Sequence, residues 1–198
     1  MAEAAVRQAT YADLEAVPAH LVAEIIDGAL ETLPRGRPPM HGAAVFSLAA
    51  RLGSRTPRRR DDPDAWILMS RPELRFGPHV LVPDLAGWRR QRMPTEPQDA
   101  FITTPPDWVC EIVSPVTARL DRGRKRRIYG EAGVGHLWLF EPEEGLLEGF
   151  ALKTGRWLLL DTIQRGETVA LPPFDAVPFP LDDLFPFDDP AAPALPET

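Results

Sequence analysis

Pro105-Pro-Asp-Trp-Val-Cys-Glu-Ile-Val-Ser-Pro115 is the stretch that decides the fold. Its centre, Trp108 to Val113, is a short, dense strand bounded by turn-forming residues. Alternate residues of a strand share a face, so Trp108, Cys110 and Ile112 lie on one side and Val109, Glu111 and Val113 on the other. Both sides are apolar, the pattern of a strand covered on both faces. Glu111 is carried inside with them. A buried carboxylate is costly unless it is paired, protonated or bound to metal.

Downstream, Leu120 to Ala132 reads as a polar-faced helix ended by Gly133, followed by strands over His136 to Phe140, Leu146 to Leu152 and Arg156 to Ile163. Upstream, Trp66 to Met69, Glu73 to Phe76 and Val80 to Trp88 read as three strands. His41 to Leu52 is helical, because Val45, Leu48, Ala49 and Leu52 recur at spacings of three and four. Before it, Leu21 to Ile26, Asp27-Gly28 and Ala29 to Leu33 spell a β-hairpin, since Asp-Gly favours a tight primed turn. Thr10 caps a short helix from Tyr11 to about Val17, stopped by Pro18. Polar loops fill 34–39, 55–64 and 93–106. The order is α+β, a mixed set of strands and helices. We expect one domain over residues 1–185 and a flexible Pro/Asp-rich tail over 186–198.

Composition bounds the function. The chain has 198 residues, 44% of them apolar and 26% charged, which are globular values. It has no run long enough to span a membrane, no signal-peptide pattern, and a single cysteine, Cys110, so neither a disulfide framework nor a cysteine zinc cage is expected. A cytoplasmic location follows as an expectation. The net charge of −7 argues against a passive nucleic-acid coat, whose affinity comes mainly from neutralising phosphates. It leaves room for a nuclease, whose metal-holding carboxylates add negative charge. Only two of the 22 basic residues are lysines, Lys125 and Lys153, so the lysine inside Asp-Arg-Gly-Arg-Lys-Arg-Arg (121–127) stands out. Lys is a compact ammonium on a flexible stem, which Arg cannot imitate.

Glu111 is not the only acid in apolar company. With Val80 to Trp88 read as one strand, Asp84 shares a face with Val80, Val82 and Ala86. Glu24 sits between Val22 and Ile26 in the same way. Each could pair with its own arginine. The economical alternative brings the three together, where they repel one another unless a divalent cation sits between them. Hard oxygen donors without cysteine or clustered histidine select Mg²⁺ or Mn²⁺, and a carboxylate-held Mg²⁺ mostly handles phosphates. Asp121, Lys125 and Tyr129 follow at i, i+4 and i+8, one stripe of the helix after the Glu111 strand. The bland reading of that stripe is an exposed ion pair and a half-buried tyrosine.

Taken together, these residues are similar to the PD-(D/E)XK nucleases, and more specifically the chain resembles the Uma-two family of restriction-endonuclease-like proteins. The resemblance spans about Tyr11 to Phe185. It is carried by Glu-Ile-Ile-Asp-Gly-Ala-Leu (24–30), His41, Leu-Val-Pro-Asp-Leu-Ala (81–86), the 105–115 stretch, Asp121 with Lys125 and Tyr129, Ala-Gly-Val-Gly-His-Leu-Trp-Leu-Phe-Glu-Pro (132–142) and Leu-Asp-Asp-Leu-Phe (181–185). It implies a restriction-endonuclease-like core, a mixed central sheet flanked by helices, and metal-dependent hydrolysis of DNA phosphodiesters, with a homodimer as a further expectation. It implies Asp84 and Glu111 as metal ligands for Mg²⁺ or Mn²⁺, Glu24 as an accessory acid and Lys125 as the catalytic lysine. His41, Asp121 and Tyr129 are possible accessory residues. The pattern ordinarily places its lysine two residues after the glutamate, where this chain has Val113, so Lys125 must reach back from the following helix.

His41, Cys110, the tryptophans and the arginines at 58–60, 89–92 and 119–127 each have a plainer role. They read as a helix-start histidine facing solvent, a small core thiol, core aromatics and solvated faces. If those arginines fringe the acids, they form a phosphate track. Two competing functions remain: a catalytically degenerate binding module on the nuclease fold, and a metal-free glycosidase built on a carboxylate pair.

Overall fold

The computed structural model of the chain describes residues 7–34, 38–55, 62 and 65–187. The first helix, α1 (Tyr11–Glu15), is capped as its sequence dictates: the Thr10 side chain accepts from the Asp13 N–H and the Asp13 carboxylate accepts from the Thr10 N–H. Next, β1 (Leu21–Ile26) and β2 (Ala29–Pro34) pair antiparallel across Asp27-Gly28. Both turn residues have positive φ (53° and 75°), as a primed turn requires. Helix α2 (Pro39–Arg55) starts two residues before His41, with Pro39 as its first residue, a position where the missing N–H costs nothing. Ala44, Leu48 and Leu52 are fully buried along its inner face.

Eight further strands follow: β3 (Trp66–Ser70), β4 (Leu74–Phe76), β5 (His79–Leu81), β6 (Leu85–Arg89), β7 (Trp108–Ile112), β8 (His136–Glu141), β9 (Leu146–Lys153) and β10 (Arg156–Gln164). A small ribbon of β11 (Thr168–Val169) and β12 (Phe179–Pro180) and a 3₁₀ turn at Leu181–Leu184 complete the described chain. Two sheets result. A four-stranded sheet has the order β2-β1-β5-β4, and a six-stranded mixed sheet has the order β10-β9-β8-β7-β6-β3. Within the larger sheet β7 and β8 are parallel, and the helix between them makes the crossover.

The single strand expected from Val80 to Trp88 is corrected to two. β5 belongs to the smaller sheet and β6 to the larger, and the chain passes between them through Val82-Pro83-Asp84. Pro83 has no N–H to give a ladder and holds φ fixed, so it ends one sheet and lets the chain enter the other. Asp84 therefore stands at the junction of the sheets, not in mid-strand.

The reading of β7 holds on both faces. Trp108, Cys110 and Ile112 join a core cluster with Leu48, Trp138 and Phe174 beneath α2, while Val109 and Val113 join Ile128, Tyr129 and Leu137 on the other side. The expected loop at 55–64 falls mostly outside the described residues, as does the tail beyond 187. Among the described residues no helix is long and apolar enough to cross a membrane.

Candidate active site

The helix after β7 is not uniformly wound. Ala118–Leu120 (α3) and Arg126–Ala132 (α4) are α-helical, but Asp121–Lys125 between them forms a π-type turn. In ordinary winding, residues four apart drift by about 40° around the axis. A wider turn reduces that drift, so Thr117, Asp121, Lys125 and Tyr129 keep facing β7. Such turns recur at functional sites.

The stripe is buried, contrary to the expectation of an exposed pair. Asp121, Lys125 and Tyr129 are 4%, 3% and 0% exposed. Lys125 Nζ lies 2.8 Å from Glu111 Oε1, 3.0 Å from Glu24 Oε1 and 3.6 Å from Asp121 Oδ1. Tyr129 donates its hydroxyl proton to Glu111 Oε1 at 2.6 Å. Glu24, on β1, also accepts from the Val82 N–H at 2.6 Å, which ties the smaller sheet to the junction.

Asp84 completes the group from the junction. The β6–β7 register pairs Leu85 with Cys110, and continuing it by one residue sets Asp84 opposite Glu111. Its Oδ2 accepts from the Ile112 N–H at 2.9 Å, and His41 Nε2 stands 2.9 Å from its Oδ1. His41 is thus no solvent-facing residue; it is 9% exposed and reaches in from the first turn of α2. The structure brings together all seven residues singled out in the sequence: Glu24, His41, Asp84, Glu111, Asp121, Lys125 and Tyr129.

Residues 9–180 match the family model described as "Uma2: Putative restriction endonuclease". The chain belongs to the Uma2 family. Its fold is similar to that of "a putative nuclease belonging to DUF820" from Anabaena variabilis. That crystal structure has a TM-score of 0.71 and 21% identity, with 89% of this chain and 97% of that one covered. No curated protein matches the chain.

Charge in this Uma2 member is unbalanced at the centre. Four buried acids, Glu24, Asp84, Glu111 and Asp121, face one buried ammonium, Lys125, with His41 alongside. Burial, reinforced by the charges of Asp121, Asp84 and Glu24, pushes the Glu111 carboxyl up to about 8 despite Lys125. Burial likewise raises Asp121 and Tyr129. Burial works against the Lys125 charge, but Glu111, Glu24 and Asp121 outweigh it and hold the amine above its usual range. Left alone, the group relieves its excess negative charge by keeping protons.

That excess fits a hard divalent cation. Among the described residues no three His, Cys, Asp or Glu side chains are spaced to hold a metal as a protein cage. Mg²⁺ rarely asks for one, since it keeps several waters and takes one or two carboxylates plus substrate phosphates. Asp84, just before β6, and Glu111, at the adjoining register position on β7, are buried oxygen donors of the type such an ion takes.

Thr117 escaped the sequence reading. It is 5% exposed, its hydroxyl bonds the Asp121 carboxylate, and it closes a Ser114–Thr117 turn at the entrance to α3. Its position four residues before Asp121 was the available signal. Three arginines of the helix are drawn into ion pairs with other side chains. Arg122 pairs with Glu141 and Glu148, Arg124 with Glu31, and Arg127 with Asp27 and Glu131. They fasten the helix to β2, β8, β9 and the hairpin turn. Arg89 lies over the Trp66 ring and Arg92 pairs with Asp107; the arginines at 58–60 lie outside the described residues. Cys110 is fully buried and its thiol is pushed well up by burial, so it packs as a core residue.

Proposed function

We propose that this chain is a Mg²⁺- or Mn²⁺-dependent nuclease that hydrolyses phosphodiester bonds of DNA. The observation that carries the reading is the convergence of three buried carboxylates, Glu24, Glu111 and Asp121, from two sheets and a helix on one lysine, with buried Asp84 at the register position opposite Glu111. Membership of a family described as a restriction endonuclease supports it. Asp84 and Glu111 would hold the metal, which when bound polarises a phosphoryl oxygen and stabilises the departing one.

The protein's own groups do the rest. Tyr129 fixes the Glu111 carboxylate and the Ile112 N–H fixes that of Asp84. A carboxylate only accepts, so the His41 nitrogen nearest Asp84 carries the proton and holds the aspartate's orientation. Lys125 has three donors. It can keep Glu24 while presenting a proton toward the attacking water or the developing negative charge. Glu24 anchors the lysine in turn. We further propose residues 1–185 as one domain, a homodimer addressing two strands, and a cytoplasmic location.

The test is cleavage of supercoiled plasmid. Nicking that requires Mg²⁺ or Mn²⁺ and vanishes in Asp84→Ala and Glu111→Ala supports the reading, and activity surviving both changes defeats it. A binding module on the nuclease fold is the second reading, favoured by one observation: Lys125 is already held between three acids. That module would shift DNA mobility without any product in Mg²⁺. A glycosidase would ignore a chelator.

A further inference from the structure

β10 ends the larger sheet, and among the described residues it pairs only with β9, so its outer edge is open. An open ladder is a template for another strand, and edges are usually blunted by proline, charge or a bulge. Between Trp157 and Leu160 there is neither proline nor charge. Leu158 and Leu159, on opposite faces of the strand, are 53% and 47% exposed. The bulge in β10 comes only after them, between Leu159 and Asp161.

The hairpin turn fixes what this edge offers. β9 and β10 are joined by Thr154-Gly155, both at positive φ (47° and 75°), a two-residue primed turn that sets Lys153 opposite Arg156. The pair flanking such a turn is hydrogen-bonded, and bonded and non-bonded pairs then alternate along the ladder. Arg156 and Leu158 therefore turn their backbone groups inward to Lys153 and Ala151, while Trp157 and Leu159 aim theirs outward. Faces follow from the same register. Arg156, Leu158 and Asp161 stand opposite Lys153, Ala151 and Gly149, alternate residues of β9, and so share one face.

These groups complement a second copy of themselves. Two identical strands pair antiparallel about a two-fold axis through the sheet, with one residue at its centre. With Leu158 there, Trp157 of each copy exchanges both backbone hydrogen bonds with Leu159 of the other. The two Leu158 side chains meet at a non-bonded position, where opposite residues come closest. The exposed Arg156 comes opposite the bulge, whose exposed Asp161 lies on its own face, so opposite charges meet at both ends. The turn on one side and the bulge on the other bound the pairing at those charges.

We propose that the open edge of β10 is a self-association surface: two copies pair β10 with β10, antiparallel and centred on Leu158, into one continuous sheet. The inference rests on the homodimer reading above and names its surface. A two-fold axis through the sheet preserves its faces. Both acid centres, each on the Val109–Val113 side of β7, then look to the same side, as two cuts in one duplex require.

Sedimentation of the full chain over a micromolar concentration series tests this, together with cysteine cross-linking. The native thiol, Cys110, is buried, so a cysteine introduced on β10 reports alone. Leu158→Cys should form a disulfide-linked dimer under mild oxidation, since opposite non-bonded Cα atoms lie about 4.5 Å apart, within a disulfide's span. Leu159→Cys, whose twin lies diagonally at about 7–8 Å, should cross-link at least tenfold more slowly. Leu158→Lys sets like charges face to face and should weaken association at least tenfold. Arg156→Asp should also weaken it, and adding Asp161→Arg should recover it. Thermal melting confirms that each variant is folded. A monomeric parent overturns the proposal together with the homodimer reading. A dimer that persists in Leu158→Lys, or Leu158→Cys cross-linking no faster than Leu159→Cys, overturns the β10 surface alone. Plasmid cleavage tests the nuclease reading separately from all of these outcomes.

Discussion

Lys125 Nζ and Glu111 Oε1 stand 2.8 Å apart, both side chains less than 5% exposed, on elements that the sequence separates by a turn and half a helix. The ammonium also serves Glu24 and Asp121, so one cation answers three carboxylates. Such an arrangement is poor as a stabilising device, because isolated buried pairs return little of their desolvation cost. It is sensible as a charged site held ready for something else.

Removing the ammonium exposes that imbalance. Lys125→Met should cost about 3 kcal/mol in urea denaturation, because an uncompensated buried charge is worth that much. The loss should grow as pH rises and the acids can no longer keep protons. Nicking activity should fall at least a hundredfold, and Lys125→Arg should not restore it, since the planar fork does not fit between three carboxylates.

The pH dependence of stability has a definite sign. The Glu111 carboxyl titrates from 4.5 in the free side chain up to about 8 in the fold, so the native state holds a proton that the unfolded state has released. Stability is therefore fully present below about pH 4.5 and falls as pH climbs through 8. Asp121 is raised in the same direction. Melting of the metal-free protein between pH 5 and 8.5 should show a falling midpoint, and Glu111→Gln should flatten it.

Divalent ions should reverse that slope. Binding to deprotonated carboxylates releases protons, so Mn²⁺ titrated by calorimetry at pH 7 should give a heat that varies with the buffer's ionisation enthalpy. Asp84→Asn should weaken this binding about tenfold or more. A wild-type heat independent of buffer would mean that the acids were already ionised.

His41→Ala leaves Asp84 with one partner fewer in a buried setting. A drop of about tenfold in activity is expected with little change in melting, and His41→Gln, which can still donate, should recover part of it. Equal kinetics in the alanine and glutamine variants would show that the hydrogen bond is irrelevant.

A fold control lies at Gly87. A Cβ there would meet Leu68 Cδ2 at 2.9 Å, Trp66 Cε3 at 3.2 Å and Trp108 Cε3 at 3.3 Å. Two of the three neighbours are rigid rings. Gly87→Ala should lower stability by about 1–3 kcal/mol in denaturant without changing metal affinity.

Much of this was legible in the residues. The doubly apolar β7 announced that Glu111 goes inside, and the hairpin followed from Asp-Gly because few other pairs accept two positive φ values. Asp84 was legible as a misplaced acid but not in its setting. Val80 to Trp88 alternates like one strand, and only the tertiary demand that two sheets meet makes Pro83 a boundary. His41 looked bland because its partner lies 43 positions away. Nothing local marks Asp121–Lys125 as a π-type turn; its width is set by the need of four side chains to face β7 at once. The partners of Arg122, Arg124 and Arg127 on the hairpin and on β8 and β9 are hidden from a linear reading in the same way.

The wide turn at Asp121–Lys125 behaves like an inserted residue that the helix has never expelled. Excising Gly123, whose Cβ position touches nothing, would let the segment relax to ordinary winding, and the roughly 100° removed with the residue would be returned by the tighter turn. Lys125 and Tyr129 would then still face Glu111, whereas a deletion within the regularly wound α4 would swing the residues beyond it by about 100°. The wide turn is thereby the place where this helix can lose a residue without turning its later side chains.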